Sequence, residues 1–181
     1  MEEITLSLID RKNVIAPGEL EARMNRAAPL LAEAVAGEAR YQPFLGWHSV
    51  DESAGPERVR WLRQQADRVR ADGDALVVIG IGGSNQSSRA AIKALRPKDG
   101  PAILWAGNTI SACEMARTLE ELDGYQSIYI DCIAKNFETL EPGITFRMLR
   151  QYLEKRYGPE EAARRIFATG TPGSTLHQLC R

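Results

Sequence analysis

The stretch Ala75-Leu76-Val77-Val78-Ile79-Gly80-Ile81-Gly82-Gly83-Ser84 decides the fold. It opens with an unbroken apolar run, rich in β-branched side chains, and closes on glycines. A short run of this kind reads as a strand buried on both faces. A helix from about Asn85 to Leu95 follows, closed by Pro97. Upstream, Val59, Leu62, Ala66 and Val69 recur at helical spacing behind Pro56, and Asp72-Gly73 ends that helix. Downstream the same alternation returns. Further strands are expected at 102–106, 127–133 and 166–169. Ser111 and Glu114 have capping-box spacing ahead of Met115, Leu119 and Leu122. A helix over 142–156 is expected to bury Ile144, Met148, Tyr152 and Leu153, and Gly158-Pro159 ends it. Parallel strands need crossover helices, and those helices cover both faces. The order predicts an α/β fold, a doubly wound parallel sheet sandwiched by helices with right-handed crossovers.

Residues 1–55 read as an N-terminal helical extension and loop, and 56–181 as the α/β domain. Residues 4–9 alternate and suggest a short strand. Pro17 opens a helix on which Leu20, Met24, Ala27, Leu31 and Val35 share a face, with Gly37 at its C-terminal end. Pro29 falls inside it and predicts a kink or a split. Residues 41–55 read as a loop.

Composition excludes several classes of function. The chain has 181 residues, 44% apolar and 26% charged, with a formal net charge of −1. No basic excess points to nucleic acid, and no apolar run approaches the roughly 20 residues that span a bilayer. The acidic, alternating N-terminus is unlike a secretory signal, and the expectation is a cytoplasmic protein. Cys113, Cys132 and Cys180 are odd in number and widely spaced, and neither a disulfide framework nor a zinc pattern emerges. His48 and His177 read as ordinary polar residues. No metal site is expected.

The glycine loop carries the chemistry. Glycines admit a sharp turn and close approach of a ligand to the backbone. The helix N-terminus behind them offers unpaired N–H groups and about half a positive charge, and Ser84 adds a hydroxyl. Open α/β sheets bind ligands at this edge. A dinucleotide fingerprint would need glycine where Asn85 stands, and an acid at the next strand's end, where Trp105-Ala106-Gly107 stands instead. A nucleotide P-loop would need Gly-Lys-Ser/Thr. A tight turn with Ser84 as N-cap remains the structural alternative.

Val77 to Leu95, VVIGIGGSNQSSRAAIKAL, resembles the corresponding segment of glucose-6-phosphate isomerases. Phe44-Leu45-Gly46-Trp47 is similar to a Leu-Gly-Trp segment upstream. Gly107-Asn108-Thr109-Ile110-Ser111 resembles Gly-Asn-Asn-Ile-Ser, and Ala134 to Pro142 stands where the family's second ligand loop is expected. Phe146 to Thr169 continues the likeness, which covers roughly residues 44–170. The resemblance implies a sugar-isomerase-type α/β sandwich and the N-terminal half of an enzyme that interconverts glucose 6-phosphate and fructose 6-phosphate in glycolysis and gluconeogenesis. It implies no cofactor, a sugar phosphate as ligand, and either a homodimer or a C-terminal half as partner. The residues carried over as substrate-binding are Gly82, Gly83, Ser84, Lys135, Asn136 and Thr139.

The chain also departs from the pattern. The family's second loop usually reads Ser-Lys-Thr/Ser-Phe/Gly-Thr-Thr. Here Ala134 replaces the serine, Asn136 a hydroxyl residue, and Glu138 the first of the paired threonines. Losing a hydrogen bond to a charged ligand costs about 1.5–3 kcal/mol, and a carboxylate about 4 Å from a phosphate adds repulsion. The family's proton-transferring glutamate, its ring-opening histidine and lysine, and a Gly-Gly-Arg motif have no counterpart among these residues, so no catalytic residue is assigned. Three readings stay open: a portion of an isomerase, a binding module without catalysis, and a subunit that completes a site with a separate C-terminal half.

Overall fold

The computed structural model describes residues 9–180 apart from 11, 13, 39, 48 and 96–99. The expected strand at 4–9 lies outside the described residues except for Ile9, which is in coil, and His48 and Pro97 also lie outside them. The chain divides into two compact units, Met1–Val59 and Arg60–Arg181.

The first unit is helical. Helix α1 (Glu19–Val35) follows Gly18, and Gly37 just beyond it has φ 77°, the left-handed conformation that ends helices. Pro29 lies inside a single helix, so the expected split does not occur. A proline removes one N–H donor, and the hydrogen bonds on either side keep the helix continuous. The expected loop at 41–55 holds a 3-10 turn at Gln42–Phe44 and a short helix α2 (Val50–Ser53).

The second unit winds around one sheet. The boundary between the units falls within α3 (Pro56–Asp72), and the elements that follow are β1 (Ala75–Ile79), α4 (Gly83–Leu95), β2 (Ala102–Ala106), α5 (Ala112–Leu122), β3 (Ile128–Ile133), α6 (Leu140–Tyr157), α7 (Pro159–Arg164), β4 (Ile166–Thr169) and α8 (Thr175–Leu179). The four strands lie in the order β2-β1-β3-β4, and every pairing is parallel. From β1 the chain crosses to β2 on one side, then returns past β1 to β3 and continues outward to β4. With right-handed crossovers, α4 falls on one face and α5, α6 and α7 on the other.

Side-chain alternation divides the core the same way. Val77 and Ile79 of β1, Leu104 of β2 and Ile128, Ile130 and Cys132 of β3 form one buried cluster with Leu122, Phe146, Leu149, Leu153 and Ala162 of the covering helices. The opposite face carries Val78, Trp105, Tyr129 and Asp131. There the Arg68 guanidinium of α3 lies 5.8 Å from the Tyr129 ring centre, and Arg89 of α4 lies 6.0 Å from that of Trp105.

Two helix faces differ from expectation. On α6 the buried residues are Pro142, Gly143, Thr145, Phe146, Leu149 and Leu153, while Ile144 and Met148 are exposed. Two apolar stripes share Leu153, and the sheet takes the one with the phenylalanine. On α3 only Val69 of the expected stripe is fully buried, and Leu62 is exposed. The box at α5 is half formed. Ser111 accepts from the Glu114 N–H at 3.4 Å, but the Glu114 carboxylate pairs with Arg117 at 2.9 Å. No described helix is long and apolar enough to cross a membrane.

Candidate functional site

The candidate site is the carboxyl edge of the sheet where β1 and β3 lie side by side. These strands are paired, with Ile79 opposite Cys132, and the chain leaves them in opposite directions along the sheet. Such a reversal opens a gap at the strand ends where ligands bind in open α/β sheets.

The first wall is the glycine loop. Gly82 has φ 56°, which a glycine adopts without strain. Helix α4 begins at Gly83, so Ser84 lies within its first turn rather than at the N-cap. Gly82 and Gly83 are exposed and Ser84 is half-buried. No acidic residue occupies that first turn, which leaves the positive end of the helix dipole uncompensated by its own side chains. Asn85 beside them is fully buried and donates from Nδ2 to the Gly80 carbonyl at 3.2 Å, while its Oδ1 has no partner among the described residues.

The second wall is the loop after β3. Ala134 is buried and donates its N–H to the Thr169 carbonyl at 2.9 Å, and the Lys135 carbonyl accepts from the Thr171 N–H at 3.0 Å. Lys135, Asn136, Glu138 and Thr139 are exposed. Asn136 is engaged within the loop: its Nδ2 donates to Glu138 Oε2 at 2.6 Å and its Oδ1 accepts from the Glu138 N–H at 3.4 Å. Thr139 is the N-cap of α6, yet its side chain makes no capping bond. Glu138 just before this helix and Glu141 in its first turn set two carboxylates against the single charge of Lys135.

Phe137 holds the loop's shape. It is the one non-glycine residue with positive φ among the described residues, at 67°. A bulky residue there costs roughly 1–2 kcal/mol. Its ring is buried, packs edge-on against Phe146 with centres 5.5 Å apart, and lies 5.3 Å from the Arg147 guanidinium carbon. Burying such a ring contributes about 1.5–3 kcal/mol, which offsets the strain.

Gly107 marks a close approach of β1, β2 and α6. It follows β2 with φ 82°, and a Cβ there would stand 2.7 Å from Ile79 Cγ2, 3.1 Å from the Gly80 nitrogen and 3.3 Å from the Pro142 Cα. The ends of β1 and β2 and the start of α6 therefore meet at one point. Of the residues carried over by resemblance, Gly82, Gly83 and Ser84 follow β1, and Lys135, Asn136 and Thr139 follow β3.

Sequence reasoning passed over Asp131. It sits on β3 opposite Val78 and Phe167, on the α3–α4 face. Burial pushes its carboxyl up to about 6, and a 3.5 Å hydrogen bond from Thr169 Oγ1 works against that. An acid inside the apolar strand SIYIDCI was the available signal.

A protein named glucose-6-phosphate isomerase from Clostridium perfringens strain 13 is 40% identical over 136 residues, 70% of this chain and 30% of that protein. The enzyme of that name from Shouchella clausii is 38% identical over 164 residues, 84% of this chain and 36% of its own length. Over that portion, this chain is similar to the glucose-6-phosphate isomerases. It spans about a third of the length of the curated relatives it matches. A hypothetical protein from Thermus thermophilus shares the fold, with a TM-score of 0.69, 24% identity, and coverage of 91% of this chain and 39% of that one. The glucose-6-phosphate isomerase of Chlamydia trachomatis has a TM-score of 0.57 at 24% identity, over 69% of this chain and 24% of that one. No protein-family model matches the chain.

Proposed function

We propose that this chain supplies the phosphosugar-binding portion of a glucose-6-phosphate isomerase and does not carry out the proton transfer. The observation that carries the reading is the meeting of strand ends and helix start at Gly107, beside the gap between β1 and β3. In this reading the Gly82–Ser84 backbone and the Ser84 hydroxyl take sugar or phosphate oxygens. Lys135 supplies positive charge, and the Thr139 hydroxyl, free of a capping bond, donates to the ligand.

Isomerisation between C1 and C2 needs a base within hydrogen-bond reach of the substrate proton and an acid–base group for ring opening. The resemblance assigns neither Glu138 nor Glu141 to that role. A second copy or a C-terminal half as partner belongs to this reading, and a clean monomer by light scattering would remove it. So does a cytoplasmic place in glycolysis and gluconeogenesis, open to test by cell fractionation.

A coupled assay for fructose 6-phosphate formation, with calorimetric titration of fructose 6-phosphate, tests the reading. Weak saturable binding without turnover is expected. Turnover that disappears on Glu138→Gln or Glu141→Gln would overturn it. The second reading, a binding module without any catalytic partner, is favoured by the Asn136–Glu138 hydrogen bond, which spends the loop's amide on its own carboxylate.

A further inference from the structure

Phe137 is the single buried side chain in the run Lys135–Thr139, since the residues on either side of it are exposed. It also adopts a backbone conformation that favours glycine. A residue of this size stays in such a turn only when its surroundings over-determine it, and here the surroundings are identified. The ring joins the main core cluster, packs edge-on against Phe146 and lies beneath Arg147. On either side of Phe137 in the chain, Asn136 and Glu138 clasp each other through two hydrogen bonds. Anchor and clasp together leave the loop little freedom.

We propose that Phe137 is the positioning residue of the 134–139 loop: its core-locked ring holds the left-handed turn that shapes the loop before a ligand arrives. The proposal rests on the reading that this loop holds the sugar phosphate. A loop already fixed in one shape loses less freedom on binding, so affinity depends on a ring that never touches the ligand.

The alternative is a phenylalanine that merely fills the core, and the two differ in where their loss is felt. Hydrogen exchange of the full chain, wild type against Phe137→Ala, Phe137→Gly and Phe137→Leu, separates them. Loop amides 135–139 are expected to exchange at least about tenfold faster in the alanine and glycine variants while β1 and β3 keep their protection. Phe137→Leu, which keeps an apolar anchor, is expected to stay within about threefold of wild type. Titrated with fructose 6-phosphate, the alanine and glycine variants are expected to bind about tenfold more weakly and the leucine variant to remain near wild type.

Unchanged loop exchange in Phe137→Ala, or exchange rising equally through β1 and β3, overturns the proposal. So does a wild type that binds while Phe137→Ala binds as tightly, and the phosphosugar reading then survives. If wild type binds no fructose 6-phosphate but the loop alone loosens in Phe137→Ala, the phosphosugar reading falls and the positioning role stands.

Discussion

Tyr129 of β3 donates its hydroxyl hydrogen to Asp72 Oδ2, at the end of α3, over 2.7 Å. Around that bond Arg165 reaches Asp72 at 3.3 Å, Glu161 at 2.7 Å and Ser127 Oγ at 2.7 Å, and its guanidinium lies 5.0 Å from the centre of the Tyr129 ring. The amino edge of the sheet is thus tied to α3 and α7 by a polar network, at the opposite end from the candidate site.

Removing that hydroxyl should cost stability in a pH-dependent way. The bond from Tyr129 lowers the pKa of Asp72 below 3.8, with Arg165, Ser127 and Arg68 adding to the effect and burial opposing it. A depressed folded pKa gives stability that is present above the unfolded value and lost as pH falls through the folded one. Tyr129→Phe is expected to lose about 1 kcal/mol near neutrality, below the usual range for a bond to a charge because Asp72 faces solvent. The difference should shrink below about pH 4. Urea melts at pH 7 and pH 3 check this, and an equal loss at both would refute it.

Asp131 works in the other direction. Burial raises its carboxyl from 3.8 to about 6. The ionised form is therefore disfavoured in the fold, and the penalty is absent below pH 4, grows between pH 4 and 6 and is complete above. Asp131→Asn is expected to stabilise the chain at pH 7 by about 1–3 kcal/mol and to give no comparable gain at pH 4. Denaturant midpoints at the two values decide it. A variant less stable at pH 7 would show that the carboxylate has a partner worth more than its burial costs.

Gly107→Ala should damage the rim of the sheet. The new methyl meets Ile79 at 2.7 Å and the Gly80 backbone nitrogen at 3.1 Å, and φ is positive. A loss on the order of 2–4 kcal/mol is expected, together with weaker binding of fructose 6-phosphate. A melting temperature within a degree of wild type would mean that the contact point gives way easily.

Glu138→Thr should tighten sugar phosphate binding. The substitution removes one of two carboxylates beside Lys135 and releases the Asn136 amide from its 2.6 Å bond. A gain of about tenfold at low salt is expected, falling as ionic strength rises because these groups are exposed. No change in a calorimetric titration at 10–20 mM salt would show that Glu138 does not face the phosphate.

The strands and the glycine loop are legible in sequence because a buried parallel strand is a continuous apolar run, and β1, β2 and β3 each have one. The α6 face is not, since Ile144 and Met148 repeat at the same helical spacing as Phe146, Leu149 and Leu153, and only the sheet chooses between them. Helix α8 escaped notice because TLHQL is too short to show a period, although Ser174 caps it by accepting from the His177 N–H at 3.3 Å. At the site, residue types and spacing point to the two loops. They do not show that Asn136 is spent on Glu138 or that Phe137 takes a left-handed turn, because both depend on where the Phe137 ring is buried.

The reversal of winding between β1 and β3 separates the location of a ligand from its identity. The gap exists because backbone crossovers diverge there, and it persists whatever side chains stand at its mouth. Asn136 and Glu138 are exposed and lie outside every strand pairing. A lineage built on such a frame can drift in what it holds while keeping the same address, so kinship is a better guide to where a ligand would sit than to which ligand it would be.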